Sequence, residues 1–176
     1  DTPRAPASTS DRPREMTSPT PDDGPLRERL DALIDEHRSA LTACLDGLTE
    51  EQVRRQLVPS RTTLLGLVKH ATFVERVWFV EAVTGTSRAA LGLPATPDAS
   101  FVLDDADTIS TVQAAHRSAC DDSRRAVADL ALDAVLTGNH RGPLPLHWVL
   151  LHVLRELAQH CGHADILREQ ILAADT

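Results

Sequence analysis

Apolar residues recur at spacings of three and four along most of the chain, a pattern that predicts amphipathic helices. The first stripe is Leu30, Leu33, Ile34, His37, Leu41, Cys44 and Leu45, on a helix that begins at Leu26 and stops near Gly47. Thr49-Glu50-Glu51-Gln52 then places Thr and Gln at the two ends of a capping box. Pro59-Ser60 breaks the chain, and Thr62 or Thr63 caps a second helix over about 64–83 that ends at Gly85. Its inward face reads Leu64, Leu67, Val68, Ala71, Val74, Val77 and Trp78. Residues 85–107 hold no sustained period and cross one end of the domain. A third helix starts at Thr108 or Ser110 and runs to about Leu132, with Val112, Ala115, Ala119, Ala126 and Leu130 inward. Gly138-Asn139 and Arg141-Gly142-Pro143 mark a turn over 133–145, and a fourth helix spans about 146–173. Four long helices with one long crossover predict an all-α four-helix bundle over 26–174.

Composition supports helices over a β fold. Ala and Leu supply 47 of the 176 residues, Tyr is absent, and aromatic residues make up only 3%. Residues 1–25 hold six of the 11 prolines and one apolar residue larger than Ala, Met16. That stretch reads as a disordered leader, with Met16 an alternative start. No run approaches the roughly 18 apolar residues of a membrane span, and the first residues carry no apolar signal core. The net charge of −8 is not relieved by any basic cluster, which argues against nucleic acid as a partner. Three scattered cysteines, Cys44, Cys120 and Cys161, fit a reducing, cytoplasmic setting better than a disulfide framework.

Candidate chemistry comes from polar residues lying on apolar stripes. In the fourth helix Val149, Val153, Glu156, His160, His163 and Leu167 share one face, at spacings of four and three. A buried unpaired carboxylate costs several kcal/mol, so Glu156 needs a partner. His160 lies one turn on, and an inward Glu-x3-His pair offers one oxygen and one nitrogen to the same cation. His70, between Leu67 and Val74 on the second helix, points the same way. One His from that helix with Glu156 and His160 makes an N2O set suited to Zn²⁺, Ni²⁺ or Fe²⁺, with positions open to water or substrate. The plainer alternative is that His70 is a hydrogen-bonded core histidine, with Glu156 paired to His160 or to an arginine such as Arg76 or Arg125.

The segments PSRTTLLGLVKHATFVERVWF (59–79) and LPLHWVLLHVLRELAQHCGHADILREQI (144–171) resemble the DinB-like superfamily of metal-binding four-helix bundles, nearest its DinB or mini-circle branch. The stretches 96–105 and 111–130 share that resemblance, which extends over about 26–173. The superfamily's usual triad is three histidines, one on the second helix and an H-x3-H pair on the last. Carried over, the ligands are His70 and His160, the latter preceding an R-G-Q-like element that here reads Cys161-Gly162-His163. The remaining position holds Glu156, a departure similar to the mycothiol-dependent maleylpyruvate isomerase branch, whose triad is His-Glu-His. The resemblance implies a divalent ion and a low-molecular-weight thiol, mycothiol, bound as thiolate and added to a small electrophile. That isomerase has an additional C-terminal domain for which this chain has no room, which favours a general thiol transferase.

Two further function classes remain at this stage: a metal-assisted hydrolase or isomerase of a small intermediate, and a non-catalytic metal- or small-molecule-binding stress protein. Smaller expectations attach to single residues. His163 sits beyond the ligands as a supporting partner or a floor cap, with a fourth-ligand role as the alternative. His37 and Trp78 are core residues or pocket lining. His152 is placed to hydrogen-bond Glu156, while His147 lies near the start of that helix. Cys161 points about 100° away from His160 and carries no nucleophilic role. His116 and His140 are expected at the surface. Leu151 and Leu157, outside the inward stripe, are assigned to a homodimer contact.

Overall fold

A computed structural model describes residues 25–174, and the leader predicted over 1–25 lies outside them apart from Pro25. The first helix, α1, spans Leu26–Ala43, and Gly47 turns the chain with a left-handed φ of 76°. The short α2, Glu50–Val53, carries the predicted box: Thr49 Oγ1 accepts from Gln52 N, and Gln52 Oε1 accepts from Thr49 N. Thr63, rather than Thr62, caps α3 (Leu64–Glu75) through the Gly66 N–H. The helix continues through a π-helical turn at Arg76–Glu81 into α4, Ala82–Thr84, and stops at left-handed Gly85 as predicted. Within the crossover, Asp98–Phe101 forms a 3-10 turn.

Thr108 caps α5, Ile109–Val127, in a second capping box with Thr111. This helix ends about one turn before the predicted Leu132. The turn chemistry of 133–145 closes a small antiparallel pair, β1 (Val135–Leu136) and β2 (Leu144–Pro145), in register Leu136↔Leu144. The last helix, α6, runs over Leu146–Ala174. Helix α1 lies along α6 and α3 along α5, so the four long helices form the all-α bundle expected. Ile34, Leu41, Leu64, Phe79, Leu146, Leu150, Leu157 and Ile171 fill its centre. No helix among the described residues is long and apolar enough to cross a membrane.

The buried faces differ from the predicted stripes in an instructive way. On α1 the buried residues are Leu30, Ile34, Arg38 and Leu41, while Leu33 is exposed and His37 only half-buried. On α5 they are Val112, His116, Ala119, Cys120, Ser123 and Val127, so His116 is fully buried rather than at the surface, and Ala115 is exposed rather than inward. In both helices the true face is centred on a polar residue that an apolar count passes over. Polarity is tolerated there because the charges meet. Arg38 Nε and Nη2 donate to Glu75 Oε1 and Oε2 at 2.9 and 2.6 Å, and Ser123 Oγ donates to the Glu75 carbonyl at 3.4 Å. Leu157, assigned above to a dimer contact, is fully buried against the core, whereas Leu151 is exposed.

One close approach fixes the crossover. A Cβ at Gly66 would lie 3.0 Å from both the Phe101 carbonyl and Thr63 Oγ1. Glycine at this position therefore lets the 98–101 turn settle directly on the first turns of α3. That contact brings Ser100 and Phe101 to His70.

Candidate metal centre

His70 projects from the middle of α3, Glu156 and His160 from consecutive turns of α6, and their donor atoms lie within 4.8 Å of one another. His160 Nε2 is 3.7 Å from Glu156 Oε2, and the His70 and His160 rings meet edge-on at 4.8 Å. The three residues predicted from spacing thus come together on the facing sides of two helices. His70 is 5% exposed, while the side chains of His160 and Glu156 are 12% and 24% exposed. The cluster is therefore most enclosed at His70 and most exposed to solvent at Glu156.

The ring of His70 is held on two sides. Phe101 stacks on it at 4.1 Å with planes 13° apart. Its Nδ1 lies 2.7 Å from Ser100 Oγ, and that hydroxyl donates onward to the Pro97 carbonyl at 2.5 Å. Since the Ser100 proton points to Pro97, Ser100 accepts from His70 Nδ1–H, which leaves Nε2 with the free lone pair. Metal-ligating histidines are commonly oriented by such a bond through their other nitrogen. Burial, reinforced by the neighbouring His160 and opposed by Glu156, lowers the His70 pKa to about 4. Burial likewise lowers His160, with Glu156 opposing. Both rings are neutral at pH 7, the protonation state a metal ligand requires.

His160 supplies the observation that tests a cation against these residues. Its Nδ1 and Nε2 are both buried, and neither has a hydrogen-bond partner among the described residues. A buried polar atom left unmade costs about 1–3 kcal/mol. An ion between His70, Glu156 and His160 would take the one lone pair of the neutral His160 ring, and two imidazoles with one carboxylate match the donor preferences of divalent first-row metals. The residues fit the ion.

Around the triad the structure adds residues of which sequence spacing gave only part. Arg155 Nη2 donates to Glu156 Oε1 at 3.2 Å and to His152 Nδ1 at 3.1 Å. His152 therefore accepts on Nδ1 and carries its proton on Nε2, which faces Glu156 Oε1 at 3.8 Å. That separation exceeds a hydrogen bond. Burial lowers His152 too, so this contact is dipolar rather than ionic at neutral pH. The His152 ring packs against Trp78 at 3.9 Å and Trp148 at 5.2 Å, the latter parallel to it, and the two indoles meet each other at 5.8 Å. Trp78, buried in α3's wide turn, thus belongs to an aromatic wall beside the triad as well as to the core. A π turn advances fewer degrees per residue than an α turn, which swings Trp78 back toward the face of His70.

The other singled-out residues lie apart from the triad. His163 is exposed, with its ring 6.0 Å from that of His160, beside a hollow lined by Val58, Ser60 and Thr62. His37 turns its Nδ1 to the Leu33 carbonyl at 2.7 Å and reaches neither the centre of the core nor the triad. His147 bonds the Leu132 carbonyl and exposed His140 accepts from Arg88. Cys161 faces α1, where its Sγ meets the His37 carbonyl at 3.5 Å, and burial raises its thiol to about 11. It is no thiolate at neutral pH. Sequence reasoning missed Ser100, Phe101 and Arg155. The first two sit in a crossover without periodicity, and only the tertiary fold brings them to His70.

A family model described as mycothiol S-transferase matches residues 29–173 of the chain. A search of curated proteins found no match.

Proposed function

The chain belongs to the mycothiol S-transferase family, and from that premise we propose that it is a metal-dependent enzyme that takes up mycothiol and adds its sulfur to a small electrophile. The metal is held by His70, Glu156 and His160. The reading is carried by His160, whose two buried ring nitrogens lack partners among the described residues, beside the free lone pair of His70. When bound, a divalent ion supplies Lewis acidity that brings a thiol, ordinarily of pKa about 8.5, to its thiolate at neutral pH.

The protein's own groups do the rest. Ser100 and Phe101 hold the His70 ring in one tautomer and one orientation. Glu156 contributes the negative charge that two neutral imidazoles cannot. Arg155 anchors the outer oxygen of Glu156 and leaves Oε2 on the His160 side. Trp78, Trp148 and His152 form an apolar, polarisable wall on the open side, where an uncharged electrophile is shielded from water. Loss of the thiol and appearance of a mycothiol conjugate are followed with protein as purified, after chelation, and after return of Zn²⁺. Turnover that disappears on chelation and returns with the ion is expected. Protein that binds no divalent ion, or that turns over equally after complete chelation, defeats the reading.

A further inference from the structure

A second cavity, of about 480 Å³, opens between α3, α5 and the crossover, and shares a wall with the triad. Phe73 and Ser100 line it, and both also contact His70. Its size is within the range of small-molecule sites. Phe73, Leu93, Pro94 and Val112 make it largely apolar.

Its charges are unequally satisfied. Lys69 Nζ lies 2.5 Å from Asp107 Oδ2 and 3.7 Å from Asp104, so this cation is neutralised. Arg76 is not. Its Nε is buried without a partner, and no acceptor or carboxylate among the described residues pairs with its guanidinium. The nearby hydroxyls are already committed as donors, Thr72 to the Val68 carbonyl and Thr111 to the Ala106 carbonyl. The lining therefore holds one net positive charge and one uncommitted donor group, a planar fork suited to a bidentate carboxylate. Partly burying that fork with nothing opposite it is costly, and an anion removes the cost.

We propose that this cavity is a binding site for a small monocarboxylate with an apolar body, its head paired with Arg76 and its body against Phe73, Leu93 and Val112. The site is separate from the triad and does not depend on the metal reading. Hydrocinnamate and its neutral twin hydrocinnamamide are titrated into the full isotope-labelled chain, followed by amide chemical shifts. Hydrocinnamate is expected to shift Phe73, Arg76 and Gly92 and to bind at least about tenfold tighter than the amide, as a charge-assisted bond implies. Arg76→Gln is expected to erase that preference. Ala115→Phe, at an exposed position on the rim, is expected to weaken both ligands while leaving the helical circular dichroism intact. Equal affinities in the parent, a preference that survives Arg76→Gln, no binding of either ligand, or shifts centred on His160 instead of Gly92 overturn the proposal.

Discussion

Arg38 and Glu75 form a bidentate ion pair inside the bundle, at 2.9 and 2.6 Å, with the Glu75 side chain wholly excluded from solvent. The pair joins α1 to α3 at the level where Ser123 of α5 touches the Glu75 carbonyl. Breaking such a pair from one side leaves a buried charge uncompensated, which costs about 3–5 kcal/mol. Asp35, 2.8 Å from Arg38 Nη1, remains to hold the arginine. Glu75→Gln is therefore expected at the lower end, about 3 kcal/mol, by urea unfolding. The double change Arg38→Met, Glu75→Leu should recover most of that loss. A Glu75→Gln protein as stable as the parent would contradict the assignment.

In the proposed metal centre Ser100 would act on His70 without touching the ion. Ser100→Ala frees His70 Nδ1 and lets the ring change tautomer. Loss of such a supporting bond typically lowers metal affinity about 10–100-fold. We expect about tenfold, because the Phe101 stack still restrains the ring. Competition with a chromogenic chelator measures it, and unchanged affinity would show the hydroxyl to be dispensable.

The triad itself is tested by removal. His70→Ala or His160→Ala should abolish stoichiometric divalent metal while helical circular dichroism stays near that of the parent, because apolar burial holds the bundle. Glu156→Gln keeps the size but loses the charge and a good oxygen donor, and is expected to weaken binding by at least about tenfold. Glu156→His should retain the ion with altered reactivity, since the site charge rises by one. Full metal content in His70→Ala protein would remove the triad.

A pH dependence follows from His116. Burial depresses its folded pKa below the usual 6.5, so the native state holds it neutral. The unfolded chain takes up a proton as pH falls below about 6.5, whereas the folded protein does not. Stability is therefore full above that value and declines on acidification until the lower folded pKa is passed. Urea midpoints between about pH 7 and 5 should fall, and less steeply in His116→Gln protein. A parallel fall in both proteins would assign the acid limb to other groups.

The sequence placed the triad because its members lie on stripes whose phase is set by large apolar neighbours. Leu67 and Val74 bracket His70, and Val153 and Leu167 bracket the Glu156–His160 pair. On α1 and α5 Arg38, His116 and Ser123 occupy the centre of the buried face, and apolar spacing there points to a different side of the helix. Which polar residues are interior depends on a partner some 37 positions away, as Glu75 is from Arg38, and spacing within one helix carries no such information. Ser100 was illegible for the same reason, its crossover having no period to read. The wide turn at Arg76–Glu81 was hidden as well, since its residues satisfy an ordinary α pattern closely enough.

That wide turn sets the phase at which Trp78 meets the aromatic wall. A π turn is an α-helix holding one surplus residue, so removing one residue from 76–81 restores the regular winding while both flanks keep their faces. His70 upstream and Gly85 downstream would stay where they are, and only the side chains between would be dealt out differently toward His152. The surface that Trp78 presents beside the triad can thus be changed by a change in chain length, with the three candidate ligands left in place and Val77 and Phe79 repacked within the core. In this protein the make-up of the wall beside the triad is a matter of helical phase.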